Sequence, residues 1–284
     1  MKMKTKENME NKIVVVTGAN SGMGKVTALE LAKKGFTVVL VCRNKQLGEE
    51  AKQDIIAQSG NTRIDLLLAD LSSQKSIRQM VLDFKSKYNH LDVLVNNAGL
   101  AFSKFNTSVD GIEMTFAVNH LGYFLPTVLL LDSLKAAPSA RIVNVSSSTH
   151  KGAKINFEDI EHKKNYSLFG SYNQSKLCNV LFTKELARKL KGTNVSVNCL
   201  NPGPVKTGLA RDMGPVFQWL AKSFFPSAEK ASATAIYLAS SPEVEKITGR
   251  YFEKCKVVPS SKISNDEKIA KKLWDLSTKM TGLN

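Results

Sequence analysis

The sequence predicts an α/β fold whose parallel sheet is covered by helices on both faces. Short apolar runs typical of buried strands alternate with stretches in which apolar residues recur every three to four positions, as in helices. A chain that alternates strand and helix in this way places its strands parallel. Helical periodicity is evident over 25–34 and 45–58. The predicted strands are 13–17, 37–42, 64–69, 92–96, 141–146 and 195–200.

Polar residues mark the starts of three predicted helices. Asn44 precedes the run at 45, Asp110 with Glu113 three residues later resembles a capping box, and Ser227 precedes the run to Ser240. The sequence has no internal repeat and no Pro- or Gly-rich linker. We therefore expect one domain over 12–284, preceded by a flexible basic tail over 1–11.

The composition is that of a folded chain with a basic surface. The 284 residues are 43% hydrophobic and 23% charged, with a net charge of +15. The basic residues are 33 Lys and seven Arg, and they are spread along the whole chain. Arg, rather than Lys, supplies bidentate readout of bases, so we expect no specific nucleic-acid partner. Weak peripheral contact with an anionic membrane is compatible with this charge.

The cysteines and the N-terminus indicate a cytoplasmic protein. Cys42, Cys178, Cys199 and Cys255 show no spacing typical of a disulfide framework or a metal site. The first twelve residues are polar and lead directly into a strand, which is not typical of a signal peptide or membrane anchor. We expect a reducing compartment and no metal.

A glycine-rich turn follows the first predicted strand. The segment 17–24 has the sequence TGANSGMG and runs directly into a predicted helix. In this order of elements the backbone approaches a pyrophosphate closely, and free N–H groups at the helix N-terminus bind the anion. The motif predicts a dinucleotide site, with a merely flexible turn as the alternative. Its candidate contacts are Gly18, Asn20, Ser21, Gly22, Met23 and Gly24.

Tyr172 and Lys176 lie four residues apart on a helical pattern, so their side chains emerge on one face. A phenol titrates near ~10, and a nearby ammonium with an oxidised nicotinamide would lower that pKa. Tyr172 could then donate a proton to a carbonyl oxygen or accept one from an alcohol. In isolation the pair would be an ordinary tyrosine and a solvated lysine.

The end of the second predicted strand bears on the choice of cofactor. An acidic residue at this point binds the ribose hydroxyls of NAD. Here the strand ends at Cys42, Arg43 and Asn44, and no acid occurs before Glu49. The Arg43 guanidinium can pair with a 2′-phosphate, with Asn44 and Ser21 assisting. The pattern predicts NADP(H), whereas a solvent-facing Arg43 is the alternative.

Together, and in order, these motifs resemble the short-chain dehydrogenase/reductase family. The resemblance covers nearly the whole chain and depends on several motifs jointly. They are the spacing Gly-x-x-x-Gly-x-Gly at 18–24, Asp70-Leu71, Asn96-Asn97-Ala98-Gly99, Asn119, Ser147, Tyr172-x-x-x-Lys176 and Asn201-Pro202-Gly203.

The resemblance implies a single Rossmann-type doubly wound domain with a mainly parallel seven-stranded sheet in the order 3-2-1-4-5-6-7. It implies that Ser147, rather than Ser146 or Ser148, orients the substrate oxygen toward Tyr172. Asn119 would hold a water-linked proton path to Lys176, although bending a helix or satisfying backbone groups would explain it equally well. Further cofactor contacts implied are Asp70, Leu71, Asn97, Ala98, Gly99, Tyr172, Lys176, Pro202, Gly203, Val205 and Thr207.

Three features resemble the retinol dehydrogenase branch of this family. Tyr172 lies 25 positions after Ser147, and the other two features are the segment 171–192 and the closing segments 248–255 and 271–283. The resemblance implies an NADP(H)-dependent oxidoreductase acting on a lipophilic aldehyde, ketone or alcohol. It also implies a substrate-covering segment at about 207–227, whose apolar residues could instead contact lipid or pack in a core.

Two further expectations follow from the same resemblance. Family members often form homodimers through helices that correspond to 121–134 and 172–191. The alternative function is a catalytically weak NADPH-binding sensor or scaffold on the same fold. Hydrolase chemistry is disfavoured because the sequence has no Gly-x-Ser-x-Gly elbow.

Overall fold

Eight strands form a single sheet in the computed structural model, which describes residues 12–203 and 227–283. The strands are β1 (Ile13–Thr17), β2 (Thr37–Cys42), β3 (Ile64–Leu68), β4 (Val93–Asn96), β5 (Ala140–Val145), β6 (Val195–Asn201), β7 (Tyr251–Glu253) and β8 (Lys256–Val257). Their order is β3-β2-β1-β4-β5-β6-β7-β8. The predicted doubly wound fold is confirmed, and the six strands predicted from apolar runs each lie within one residue of their predicted bounds.

The eighth strand is an addition to the seven predicted. β8 has two residues, pairs antiparallel with β7 at the edge of the sheet, and is exposed. The turn between them places Lys254 and Cys255 at positive φ, +49° and +61°. A two-residue exposed strand carries no apolar run, so the sequence gives no strand signal there.

Helices flank the sheet on both faces. Those in the described residues are α1 (Gly22–Lys33), α2 (Lys45–Ser59), α3 (Gln74–Lys87), α4 (Met114–Phe116), α5 (Gly122–Leu129), α6 (Leu131–Ala136), α7 (Leu168–Lys189), α8 (Ala228–Ser240) and α9 (Glu267–Met280). A π-helical turn, Ala117–Leu121, joins α4 to α5, and 3-10 turns span Ser148–Gly152, Pro242–Val244 and Ile263–Asn265.

The two faces of the sheet bury two separate apolar clusters. Val15 packs with residues of α3, α5 and α7, whereas Val14 and Val16 pack with residues of α1 and α8 on the opposite face. Successive strand residues point to opposite faces, so an unbroken apolar run such as β1 is what a doubly covered strand requires. Burying one such valine stabilises the fold by about 1.5–3 kcal/mol.

The predicted helix caps have different outcomes. Asn44 caps α2, because its side chain accepts a hydrogen bond from the Leu47 N–H. Ser227 stands at the N-cap of α8 without a side-chain capping bond. The predicted Asp110–Glu113 capping box is wrong. Glu113 itself caps α4, whereas Asp110 accepts a hydrogen bond from the backbone of Gln74 at the start of α3.

The C-terminal helix α9 packs across α5 and α7. The ring of Trp274 lies 5.0 Å from that of Phe124 and 6.0 Å from that of Phe182. Nε2 of His120, in the π-helical turn, lies 2.8 Å from Oγ of Ser277 on α9. Because α9 covers part of both helices, a homodimer through them must use the faces that α9 leaves exposed. The predicted long helix over 121–134 is instead α5 and α6, which meet at Leu130.

Several predictions fall outside the described residues. They are the flexible tail over 1–11, Val205 and Thr207, and all of the segment 207–227 except Ser227. Within residues 12–203 and 227–283, no helix is long and apolar enough to cross a membrane.

Candidate active site

The carboxyl ends of β1, β4 and β5 meet at one edge of the sheet, where open α/β sheets bind ligands. β1 leads into the glycine-rich turn, β4 into Asn97–Gly99, and β5 into the segment that contains Ser147. Helix α7 carries Tyr172 and Lys176 past the same edge. The fold thus brings together the predicted cofactor and catalytic residues.

The glycine-rich turn packs tightly against the segment after β4. A Cβ at Gly24 would overlap the carbonyl oxygen of Gly18 and lie 2.5 Å from Nδ2 of Asn97. A Cβ at Gly18, where φ is +65°, would lie 3.0 Å from Cα of Ala98. Only glycine fits both positions. The turn is therefore a close-packed cradle and not merely a flexible connection.

Thr17 holds this cradle to β4, a role that the sequence analysis did not assign. Its Oγ1 accepts hydrogen bonds from the backbone N–H groups of Asn97 (2.9 Å) and Ala98 (3.1 Å). Nδ2 of Asn97 donates to the carbonyl oxygen of Thr17 at 2.8 Å. The signal in the sequence was the position of Thr17 immediately before the first glycine of the motif.

The N-terminus of α1 fits the pyrophosphate of a dinucleotide. Ser21 occupies its N-cap position but makes no side-chain capping bond, and the first turn carries no acidic residue. By contrast, the side chains of Asn44, Ser73 and Ser167 cap α2, α3 and α7. The first N–H groups of α1 are part of the glycine cradle and have no capping side chain, which leaves them available to an anion.

Three further predicted cofactor contacts, Met23, Leu71 and Gly203, lie at the same edge of the sheet and offer a cofactor backbone groups only. The side chains of Met23 and Leu71 are buried in the two apolar clusters, so only their backbones can face a cofactor. Gly203 follows β6 and Pro202, has φ +81°, and donates its N–H to Oδ1 of Asn201 at 3.1 Å.

Arg43 and Asp70 lie side by side at the ends of β2 and β3. Oδ1 of Asp70 accepts hydrogen bonds from the N–H and Oγ of Ser72, at 2.9 and 2.6 Å. Oδ2 of Asp70 lies 3.8 Å from Nη1 of Arg43, whose side chain is 74% exposed. This long, exposed pair leaves most of the guanidinium accessible to a ligand. The Asn44 Oδ1 already caps α2, which leaves its amide nitrogen for such a role.

Asn119 lies in the π-helical turn and clamps the segment after Gly99. Its Oδ1 accepts from the Leu100 N–H, and its Nδ2 donates to the Leu100 carbonyl, both at 2.8 Å. Nδ2 also lies 3.1 Å from Oγ of Ser175. The side chain thus satisfies backbone groups, as one of its two interpretations proposed. A single π turn inside an α-helix frequently marks a functional site.

Ser147 is the member of its serine triplet that faces Tyr172. Oγ of Ser146 is committed to the carbonyl oxygen of Lys176, at 2.8 Å, and Ser148 begins the following 3-10 turn. Burial raises the pKa of Tyr172 to about 12, and a hydrogen bond with the Ser147 side chain opposes that rise. Tyr172 is therefore a protonated phenol at neutral pH.

Lys176 is almost fully buried beside Tyr172. Its Nζ donates to the carbonyl oxygen of Val145 at 3.3 Å and lies 5.5 Å from the ring centroid of Tyr172. A Cβ at Gly99 would lie 3.4 Å from both this Nζ and Oδ1 of Asn119. Burial lowers the pKa of Lys176 to about 8, so the ammonium persists at neutral pH. A positive charge thus lies next to the phenol, where it favours a phenolate.

Tyr166, in the span between Ser147 and Tyr172, forms an aromatic rim with Phe105, which lies in the segment after β4. The Tyr166 hydroxyl donates to the carbonyl oxygen of Phe102 at 2.8 Å, and its ring meets that of Phe105 edge-on at 5.7 Å. Phe169, at the start of α7, is 64% exposed. The part of the chain that the structure describes contains no group of three or more His, Cys, Asp and Glu that could hold a metal.

Comparison with known proteins identifies the class. The protein-family model described as short chain dehydrogenase matches residues 12–215. The chain belongs to the short-chain dehydrogenase family, whose members are oxidoreductases that act on alcohol or carbonyl groups with NAD(P)(H).

Within this family the chain is similar to retinol dehydrogenases. Retinol dehydrogenase 14 of Mus musculus is 42% identical over 291 residues, which cover 97% of this chain and 87% of that protein. Retinol dehydrogenase 13 of Homo sapiens is 40% identical over 292 residues, covering 98% and 87%. A crystal structure of an uncharacterized protein from Mycobacterium paratuberculosis has a TM-score of 0.79 and 32% identity, over 98% of this chain and 97% of that one. The predicted retinol dehydrogenase-like resemblance is confirmed.

Gly24→Ala should weaken the binding of a reduced nicotinamide dinucleotide by about tenfold or more, because a crowded Cβ costs about 1–3 kcal/mol and each 1.4 kcal/mol is tenfold in affinity. A fluorescence titration with NADPH measures this change. Gly60→Ala is the matched control, since Gly60 ends α2 at φ +69° with no atom within 4 Å of its Cβ position. The control should lose some stability and keep its affinity. Equal affinity in Gly24→Ala and the wild type would show that the cradle does not hold the cofactor.

Proposed function

We propose that the protein is an NADP(H)-dependent oxidoreductase that transfers hydride between nicotinamide and a lipophilic aldehyde, ketone or alcohol. The observation that carries the proposal is the placement of the Tyr172 phenol between Ser147 and the buried Lys176 ammonium, at the sheet edge that carries the glycine cradle. Residues 12–284 act as one catalytic domain in this proposal.

The chemistry of the side chains follows from their charges. A bound nicotinamide cofactor supplies or accepts the hydride. In reduction, the Ser147 hydroxyl hydrogen-bonds the carbonyl oxygen and orients it, and Tyr172 donates its phenolic proton to that oxygen. The Lys176 ammonium stabilises the tyrosinate that remains. In oxidation, the tyrosinate accepts the proton of the alcohol.

The cofactor cradle supports a nicotinamide dinucleotide, and Arg43 supports NADP(H) as the form bound. The guanidinium lies at the end of β2, is mostly exposed, and can pair bidentately with a 2′-phosphate. Asp70 lies in the loop that follows β3, and its Oδ2 is 3.8 Å from Nη1 of Arg43. Reduction is the proposed direction in the cell, because we expect the cytosolic NADP(H) pool to be mostly in the reduced form.

Arg43→Ala should raise the Kd for NADPH by about tenfold to hundredfold, since a charge-assisted bidentate pair is worth about 1.5–3 kcal/mol. The Kd for NADH should change little. Fluorescence titration of the two reduced cofactors measures both values. Arg63→Ala is the control, because Arg63 precedes β3 at the opposite end of the sheet and bonds the Gly35 carbonyl. Comparable affinity of the wild type for NADH and NADPH would contradict the proposal.

The lipophilic substrate is supported by the aromatic rim of Phe105 and Tyr166 and by the names of the similar proteins. The test is a panel of retinal, aliphatic aldehydes and steroid ketones, with NADPH or NADH, followed by absorbance of the reduced nicotinamide. Turnover of retinal with NADPH supports the retinoid class. NADPH binding without turnover across the panel would favour the sensor or scaffold function instead.

The proposed setting is the cytoplasm, with weak peripheral membrane contact and a homodimer as further proposals. Co-sedimentation with anionic vesicles tests the membrane contact. Light scattering at micromolar concentration tests the homodimer, and a monomer alone would remove it.

A further inference from the structure

His150 is a fully buried histidine three residues after Ser147, in the 3-10 turn that follows β5. Its Nδ1 lies 2.6 Å from the carbonyl oxygen of Ser147. Its Nε2 lies 3.1 Å from the backbone nitrogen of Ser261, which is 111 residues further along the chain. The imidazole therefore joins the backbone of the proposed catalytic serine to the C-terminal segment.

The two partners fix the protonation state of the ring. The Ser147 carbonyl can only accept, so Nδ1 of His150 has to carry the hydrogen. The Ser261 N–H can only donate, so Nε2 has to offer its lone pair. Only the neutral imidazole with its proton on Nδ1 satisfies both bonds. A charged imidazole would turn two N–H groups toward each other at Ser261.

Neighbouring elements hold the ring and its partner in place. The Tyr251 ring of β7 packs edge-on against His150, with 4.6 Å between centroids. The segment around Ser261 is anchored on α7, because Nζ of Lys184 donates to Oγ of Ser260 at 2.9 Å. Oγ of Ser264, which is buried, also contacts Oγ of Ser260 at 2.8 Å. Ser147 is thus tied through His150 to the helix that carries Tyr172.

The charged and titratable groups that face His150 come from three elements among the described residues. Lys151 lies on its own turn, Tyr251 and Glu253 on β7, and Lys184 on α7. Burial lowers the pKa of His150, the Ser147 carbonyl and Glu253 oppose that shift, and the two lysines add to it. The neutral ring therefore prevails at neutral pH.

We propose that His150 is a positioning residue for the reaction: its neutral, Nδ1-protonated ring fixes the backbone of Ser147 so that the serine side chain stays aligned with Tyr172. This inference rests on the proposed function of Ser147 and Tyr172. Protonation of His150 breaks the bond to Ser261 and loosens Ser147. Turnover should therefore fall on the acidic side, below the ordinary histidine pKa, as His150 gains a proton.

Two isosteric variants separate the two hydrogen bonds. In His150→Asn the side-chain amide can take the place of Nδ1 and donate to Ser147, whereas in His150→Gln the side-chain oxygen can take the place of Nε2 and accept from Ser261. We expect His150→Gln to lose kcat by about tenfold to hundredfold, the loss typical of a catalytic group displaced by about 1 Å. His150→Asn lacks the bond to Ser261, as the protonated ring does, so its kcat at neutral pH should already be lowered to the value that the wild type reaches at acidic pH, with no further acidic fall. The Kd for NADPH should stay unchanged in both.

A matched control removes a histidine elsewhere. His90 precedes β4 at the opposite end of the sheet, with Nε2 3.2 Å from Oδ2 of Asp92, and His90→Asn should keep the wild-type pH profile. The proposal fails if either His150→Asn or His150→Gln keeps the wild-type kcat at neutral pH, or loses kcat only in step with a fall in Tm. It also fails if the acidic fall persists in His150→Asn.

A spectroscopic readout separates this inference from the proposed function, because it needs no turnover. In ¹⁵N-labelled wild-type protein near neutral pH, the His150 ring should show a protonated Nδ1 and an unprotonated Nε2. The signals are assigned by their loss in His150→Gln. A charged ring, or one protonated on Nε2 alone, overturns the positioning role whatever the activity. The expected ring with no turnover of any carbonyl in the panel overturns the proposed function instead.

Discussion

Tyr172→Phe is expected to reduce kcat by about two to four orders of magnitude while NADPH still binds. The variant removes the phenolic proton that the carbonyl oxygen needs, and a positioned general acid contributes about 10²–10⁴-fold to the rate. The Ser147 hydrogen bond to Tyr172 and the Lys176 ammonium then have no phenol on which to act. Steady-state absorbance of the reduced nicotinamide, with the best carbonyl of the panel, measures the change.

Tyr237→Phe is the matched control for this variant. The Tyr237 hydroxyl bonds Glu243 at 2.9 Å near the end of α8, away from the carboxyl ends of the strands. We expect it to turn over as the wild type does. Turnover of Tyr172→Phe within tenfold of the wild type would show that another group delivers the proton.

Lys176→Met is expected to lower kcat by about two to three orders of magnitude, because the tyrosinate then forms without its neighbouring cation in a water-poor site. The free energy of unfolding of the variant should instead be higher than that of the wild type. Burial lowers the pKa of Lys176 from 10.5 to about 8, so the folded protein holds this proton less tightly than the unfolded chain. Below pH 8 the buried ammonium therefore costs the wild type about 3 kcal/mol, at 1.36 kcal/mol per pKa unit.

The sign of this pH dependence is specific. Between pH 8 and 10.5 the unfolded chain binds the extra proton, so the wild type gains stability as the pH rises. The stability advantage of Lys176→Met should accordingly be largest below pH 8 and disappear toward pH 10.5. Urea unfolding of both proteins across this range measures it. Lys191→Met, at an exposed position after α7, is the control and should show neither effect. A Lys176→Met protein with wild-type kcat would remove the lysine from the mechanism.

Local patterns were enough to predict most of the sheet. The first six strands are mainly apolar runs, buried on both faces except at the edge strand β3, and this pattern does not depend on distant residues. β8 was not predictable in this way, because it has two exposed residues and exists only by pairing with β7. The capping box at Asp110 failed for a related reason. Asp110 caps the backbone of a helix 36 residues earlier, and no local rule specifies that contact.

In the proposed site, too, local motifs predicted some residues, whereas the contacts between distant parts of the chain were not predictable. The glycine turn, Ser147, Tyr172 and Lys176 stand in short motifs, so their positions at the sheet edge were predicted from the sequence. The bonds of Thr17 to the segment after β4 span about 80 residues, and that of His150 to Ser261 spans 111. Such contacts depend on the packed fold, and a lone histidine in a sequence gives no sign of its partners. The catalytic roles of these residues stay predictions.

The most direct test of the central claim follows the hydride itself. NADPH carrying deuterium at both hydrogen positions of the nicotinamide carbon that donates hydride is mixed with the wild-type protein and retinal, and the product is analysed by mass spectrometry. Our account predicts retinol with one deuterium on the carbinol carbon, and none from Tyr172→Phe in the same time. Retinol without deuterium, or formation of the deuterated alcohol at the same rate in the Tyr172→Phe variant, would contradict it.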